Sequence, residues 1–93
     1  MSKKIDWDLY SRIISSKYRL DIFLLLSKKS LSPKQISVNT KIAISHVSRT
    51  LKELEELTLI KCLTSDSIKR GKIYTIHDDA KIYAEEINQN LNK

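Results

Sequence analysis

The sequence predicts a mainly α-helical chain closed by one small β-hairpin (an α+β fold), and three observations carry that prediction. Glycine and proline occur once each, at Gly71 and Pro33, so few sharp turns interrupt helical structure. Apolar residues recur at spacings of three and four along most of the chain. Two short stretches that read as strands, Leu59 to Thr64 and Lys72 to His77, flank the only glycine. The 93 residues leave room for one domain, expected over 1–93. A hydrophobic content of 41% supports a folded core over disorder.

The elements follow in order. Asp6 is a candidate N-cap for a first helix carrying Leu9, Tyr10, Ile13 and Ile14. Ser15-Ser16 interrupts it and offers a cap to the next, Lys17 to Lys28. That second helix holds Leu20, Ile22, Phe23, Leu24, Leu25 and Leu26, apolar on most sides, and is expected at the centre of the core. Lys28-Lys29 ends it with the charge that a helix C-terminus favours. Ser32-Pro33 signals another start, with Ser32 as N-cap and Pro33 at the first helical position. This short helix reaches about Asn39 and buries Ile36. Thr40-Lys41-Ile42-Ala43 reads as a tight turn, followed by a longer helix from about Ile44 to Thr58. After the hairpin, a last helix is expected from Asp78-Asp79, acidic at its start as the macrodipole favours.

The helix from Ile44 separates two faces. At about 100° per residue, Val47, Leu51, Leu54 and Thr58 fall within roughly 40° of one another, which makes Val47-Leu51-Leu54 a buried stripe. Ser45, Arg49, Lys52 and Glu56 lie opposite, flanked by His46 and Ser48. The first turns therefore present hydroxyls and cations, groups that reach base edges and phosphates. Arg49 and Lys52 precede Glu53, Glu55 and Glu56, which reverses the order the macrodipole prefers. That order suits a helix whose first half enters a DNA major groove. The plainer reading is a solvated face carrying Arg49–Glu53 and Lys52–Glu56 pairs.

The stretch Ile36-Ser-Val-Asn-Thr-Lys-Ile42-Ala-Ile-Ser-His-Val47-Ser48-Arg49-Thr-Leu51-Lys-Glu-Leu54-Glu resembles the helix-turn-helix of prokaryotic winged-helix regulators of the MarR and ArsR type. Arg19-Leu-Asp-Ile22-Phe-Leu-Leu-Leu26 upstream, Leu57-Thr-Leu-Ile60 downstream, and Arg70-Gly71-Lys72-Ile-Tyr74-Thr-Ile76-His77 extend the likeness over residues 17–80. Two positions depart from the pattern. Lys41 stands where the family has a turn glycine, and Ala43 stands where a hydroxyl N-cap is usual, at costs in backbone strain and capping. His77 and Ala80 also replace the usual residues before the last helix. The resemblance implies a winged helix-turn-helix fold and a transcriptional regulator bound to double-stranded DNA. It places Ser45, His46, Ser48, Arg49 and Lys52 in the major groove, and Lys69, Arg70 and Lys72 on the wing, near the minor groove or its phosphates. Ser32, Lys34, Gln35 and Lys41 would contact backbone around the first helix of the motif and its turn.

Family members generally form dimers, and the chain offers apolar stripes for one. Trp7, Tyr10 and Ile14 lie on the first helix, and Tyr83, Ile87 and Leu91 lie on the last, with Ala80 and Ala84. A homodimer would set two recognition helices about one DNA turn apart, roughly 34 Å, over a palindrome. Seventeen Lys and Arg against eleven Asp and Glu give a net charge of +6, which suits a polyanionic partner. Cys62 is the only cysteine, which leaves no intrachain disulfide and no multi-thiolate metal site; it is expected in the core. A cytoplasmic location fits that usage and an N-terminus that does not read as a signal peptide. No nucleophile motif or phosphate loop appears, so the expectation is a non-enzyme without cofactor or metal. Two other readings remain, a protein-interaction module on the same scaffold and a sequence-blind nucleoid protein.

Overall fold

A computed structural model describes residues 5–64 and 71–91, the side chain of Leu91 excepted. Five helices and a two-stranded hairpin follow the chain: α1 (Trp7–Ile14), α2 (Lys17–Lys28), α3 (Pro33–Thr40), α4 (Ile44–Glu56), β1 (Ile60–Cys62), β2 (Tyr74–Ile76) and α5 (Lys81–Leu91). The caps form where the sequence places them. The Asp6 carboxylate accepts from the Asp8 and Leu9 N–H groups, and the Ser16 hydroxyl accepts from Arg19 N–H. Ser32 builds a reciprocal box with Gln35, which also returns its side-chain oxygen to the Ser32 N–H.

Central α2 packs against α1, α3, α4, α5 and β2. Its Ile22, Phe23 and Leu26 are buried, and they meet Ile13, Ile36, Val47, Leu51, Leu54 and Ile60 in one core. That arrangement matches the expectation from the all-round apolar character of this helix. The strands pair antiparallel, Ile60 with Ile76 and Cys62 with Tyr74. Leu31 adds a one-residue antiparallel bridge to the other side of β2. Its N–H donates to the Tyr74 carbonyl at 3.0 Å, and the Tyr74 N–H donates to the Leu31 carbonyl at 2.8 Å. The loop between α2 and α3 is thereby fastened to the hairpin.

Several boundaries differ from the sequence reading, each for a local reason. Helix α4 ends at Glu56, short of Thr58, because Thr58 turns into the left-handed region at φ 58°. Leu59 is buried and outside β1; its N–H donates back to the Leu54 carbonyl and so belongs to the helix end. The last helix starts at Lys81, after a 3-10 turn over Asp78–Ala80 that His77 caps by accepting from the Asp79 N–H. The expected local change at His77 and Ala80 is this turn, with Ala80 buried beneath it. Cys62 is half-buried at the hairpin, not in the core, with its sulfur 3.2 Å from the Thr64 hydroxyl.

Candidate nucleic-acid interface

Helices α3 and α4 and the turn between them form the motif. Lys41 takes φ 62°, ψ 21°, the conformation that glycine would adopt without cost. Side chains hold this turn. The Ser37 hydroxyl donates to the Ile42 carbonyl at 2.6 Å, and the Thr40 hydroxyl donates to the Ile36 carbonyl at 2.7 Å while accepting from the Ile42 N–H at 3.3 Å. Ile42 is buried and anchors the turn to the core. Ala43 supplies no side chain to cap the first N–H groups of α4.

The outward face of α4 is as the wheel places it. Val47, Thr50, Leu51 and Leu54 are buried, whereas Ser45, His46, Ser48, Arg49 and Lys52 are exposed and share the N-terminal two and a half turns. Neither of the within-helix pairs Arg49–Glu53 and Lys52–Glu56 forms. Glu53 faces α2 instead, where its carboxylate lies 3.6 Å from the Arg19 guanidinium. The same guanidinium donates to the Arg12 carbonyl at 2.6 Å and to the Ser15 hydroxyl at 3.0 Å. Arg19 thus ties the α1–α2 junction to α4 and holds Glu53, the acid four residues after Arg49. Among the described residues, Arg49 and Lys52 have no carboxylate within 4 Å.

One member of this surface escaped the sequence reading. Tyr18, 41% exposed at the start of α2, packs its ring against His46 with centroids 5.3 Å apart and planes tilted by 38°. Only a contact between elements reveals it, since nothing in the local pattern of α2 marks Tyr18 as part of an α4 face. Ile44 and Val38, 50% and 72% exposed, flank the turn.

The remaining site residues divide. Lys34 and Gln35 are exposed on α3. Little of that helix start is free for an anion, because Pro33 lacks an N–H and the Ser32 and Gln35 N–H groups are consumed by the capping box. Lys72 is half-buried beside exposed Gly71, whose φ is 72°. Lys69 and Arg70 lie outside the described residues. At the base of the hairpin, burial raises the Tyr74 phenol above its ordinary value, reinforced by the Glu55 carboxylate and Cys62. On the proposed dimer stripes, Trp7 and Ile14 are 58% and 44% exposed. Tyr83 and Ile87 are spent inside the protomer instead, at 7% and 3% exposure. Tyr83 also accepts the Asp6 N–H at 3.0 Å, the Tyr10 hydroxyl accepts from Asn90, and α2 packs against α5, so the face of α5 expected to be free is partly used inside the protomer. The side chain of Leu91 lies outside the described set.

No family model matches the sequence, and no curated protein sequence matches it. Solved structures do match. A double mutant of ZitR from Lactococcus lactis superposes with a TM-score of 0.76 at 23% identity, over 83% of this chain and 53% of that one. The adhesin competence repressor AdcR from Streptococcus pyogenes gives 0.73 at 17% identity, over 91% of this chain and 65% of that one. Reduced HlyU from Vibrio cholerae N16961 gives 0.77 at 18% identity, over 94% and 90%. The chain therefore spans between half and two thirds of the ZitR and AdcR lengths, and nearly all of HlyU. With five helices, a two-stranded antiparallel hairpin and the α3–turn–α4 geometry matching these regulator structures, the chain has the winged helix-turn-helix fold.

Proposed function

We propose that the chain is a sequence-specific transcriptional regulator that binds double-stranded DNA as a homodimer. In this reading α4 enters the major groove and the wing, residues 65–72, lies on the minor groove or backbone. The observation that carries it is the outward face of α4, where Arg49 and Lys52 have no carboxylate partner among the described residues and stand among small hydroxyls, while Glu53 is held by Arg19. A cation with no carboxylate partner needs no ion pair broken before it meets a phosphate or a guanine edge. The likeness to winged-helix regulators, one of which is named a repressor, supports the same reading. The exposed Trp7 and Ile14 on α1 are the apolar surface that a second copy would cover.

The test is selection from random duplexes followed by fluorescence-anisotropy titration across a salt series, with Arg49→Ala alongside. The expected outcome is one enriched palindrome, affinity falling steeply with salt, and discrimination lost by about 1–3 kcal/mol in Arg49→Ala. Salt-sensitive binding without an enriched motif would establish a sequence-blind nucleoid protein instead. A second reading, a protein-docking module, draws on the exposure of Val38 and Ile44 beside the turn. It predicts no duplex binding even at low salt.

A further inference from the structure

A second concentration of cations lies away from the α4 face. Lys28 and Lys29 at the end of α2, Lys61 on β1 and Lys81 at the start of α5 line one open depression of about 330 Å³. A single carboxylate, Asp78, shares it and sits 3.7 Å from Lys81. Lys28, Lys29 and Lys61 have no carboxylate within 4 Å among the described residues. Like charges gathered around one concavity focus a positive potential that an anion relieves.

Helix α2 sets the distance between the two cationic surfaces. Tyr18 near its start packs against His46 of α4, and Lys28 closes its far end. Ten residues at 1.5 Å each put the lysine cluster about 15 Å along the helix from that contact. The cluster is also chemically unlike the α4 face. It holds lysine alone, a compact charge without the fork that reads a guanine edge, together with the hydroxyl-bearing Ser30 and Thr75. Those groups suit phosphate oxygens of any sequence. Lys61 is half-buried on β1 and lines the depression with its side chain.

We propose that this lysine quartet holds the phosphodiester backbone of a second DNA duplex, so that the chain bridges one segment read by α4 and another gripped without sequence preference. The proposal rests on the α4 reading for the first segment alone. The test immobilises a duplex carrying the selected motif, loads the full chain, and offers a fluorescent random duplex in a salt series. Wild type should retain the second duplex, with a log–log salt slope near −3 to −4 if about four phosphates are neutralised. The variant Lys28→Gln/Lys29→Gln/Lys61→Gln/Lys81→Gln should lose retention by about tenfold or more, while its affinity for a single motif duplex stays within about twofold. Lys28→Gln/Lys29→Gln/Lys81→Gln leaves the strand intact and serves if the fourfold change unfolds the chain. Three outcomes overturn the bridge: wild type retaining no second duplex, retention unchanged in both variants, or single-duplex affinity falling in step with retention. The last would put the quartet and α4 on the same duplex. Failure of the α4 reading is separate, because Arg49→Ala would then leave motif selection untouched whatever the quartet does.

Discussion

The chain enters and leaves α4 through two non-glycine residues in the left-handed region, Lys41 at φ 62° and Thr58 at φ 58°. The two turns hold this strain by different means. At Lys41 the support is polar: the Ser37 and Thr40 hydroxyls donate to carbonyls on either side of the turn, and Ile42 plugs into the core. At Thr58 the support is apolar. The Thr58 N–H donates to the Glu55 carbonyl and the Leu59 N–H to the Leu54 carbonyl, the paired bonds of a Schellman ending, and buried Leu54 and Leu59 bracket the turn. A β-branched residue fits the left-handed region worse than a lysine does. The second turn therefore stores more strain and depends more on its packing. Lys41 fixes the angle at which the candidate recognition helix leaves α3, whereas Thr58 fixes where that helix stops and the hairpin begins.

The sharpest way to break the second turn is Leu59→Ala. Leu59 is 1% exposed, so truncation removes buried methyl groups and leaves a void under a strained residue. A loss of about 2–5 kcal/mol is expected, measured by urea unfolding. A loss below about 1 kcal/mol would show that the Schellman hydrogen bonds suffice without the apolar bracket.

The contrast also separates what sequence reasoning can see from what it cannot. Lys41 was legible as a strained position because the surrounding pattern calls for a glycine there. Thr58 was not, because on a helical wheel it continues the stripe of Val47, Leu51 and Leu54, and periodicity carries no signal that the backbone has reversed its φ. The N-caps at Asp6, Ser16 and Ser32 were legible because capping is a local act of one side chain on N–H groups two or three residues away. The exposed set on α4 was legible because one buried stripe fixes its opposite. Contacts between elements were not, and they change the site most. The Tyr18–His46 ring contact and the Arg19–Glu53 pair join residues far apart in sequence. The same limit applies to α5, whose apolar stripe reads equally well as an outward or an inward face. It is inward at Tyr83 and Ile87, which are buried on a helix that packs against α2.

Thr58→Gly should act in the opposite direction to Leu59→Ala. Glycine accepts the left-handed conformation without strain, at the expense of a more flexible unfolded chain. The balance for a β-branched residue is a gain of about 1 kcal/mol, or about 4–8 °C in melting temperature for a chain of this size. Thr58 is exposed and makes no side-chain hydrogen bond among the described residues, so nothing else is lost. An unchanged or lower melting temperature would mean that the Leu54–Leu59 bracket already absorbs the strain.

The smallest stability change belongs to Lys41→Gly, and it discriminates best between folding and function. Three side-chain hydrogen bonds already define that turn, and lysine carries no branch at Cβ, so the gain should be no more than about half a kcal/mol. DNA affinity should move the other way. If Lys41 contacts a phosphate, its removal weakens binding to all sequences alike and lowers the magnitude of the log–log salt slope by about 0.9. Stability that rises slightly while the slope falls by one phosphate would separate the two roles of Lys41, as a strained turn residue and as a cation beside the recognition helix. A slope that stays fixed would assign Lys41 to the turn alone and leave Arg49, Lys52 and the wing to carry the backbone contacts.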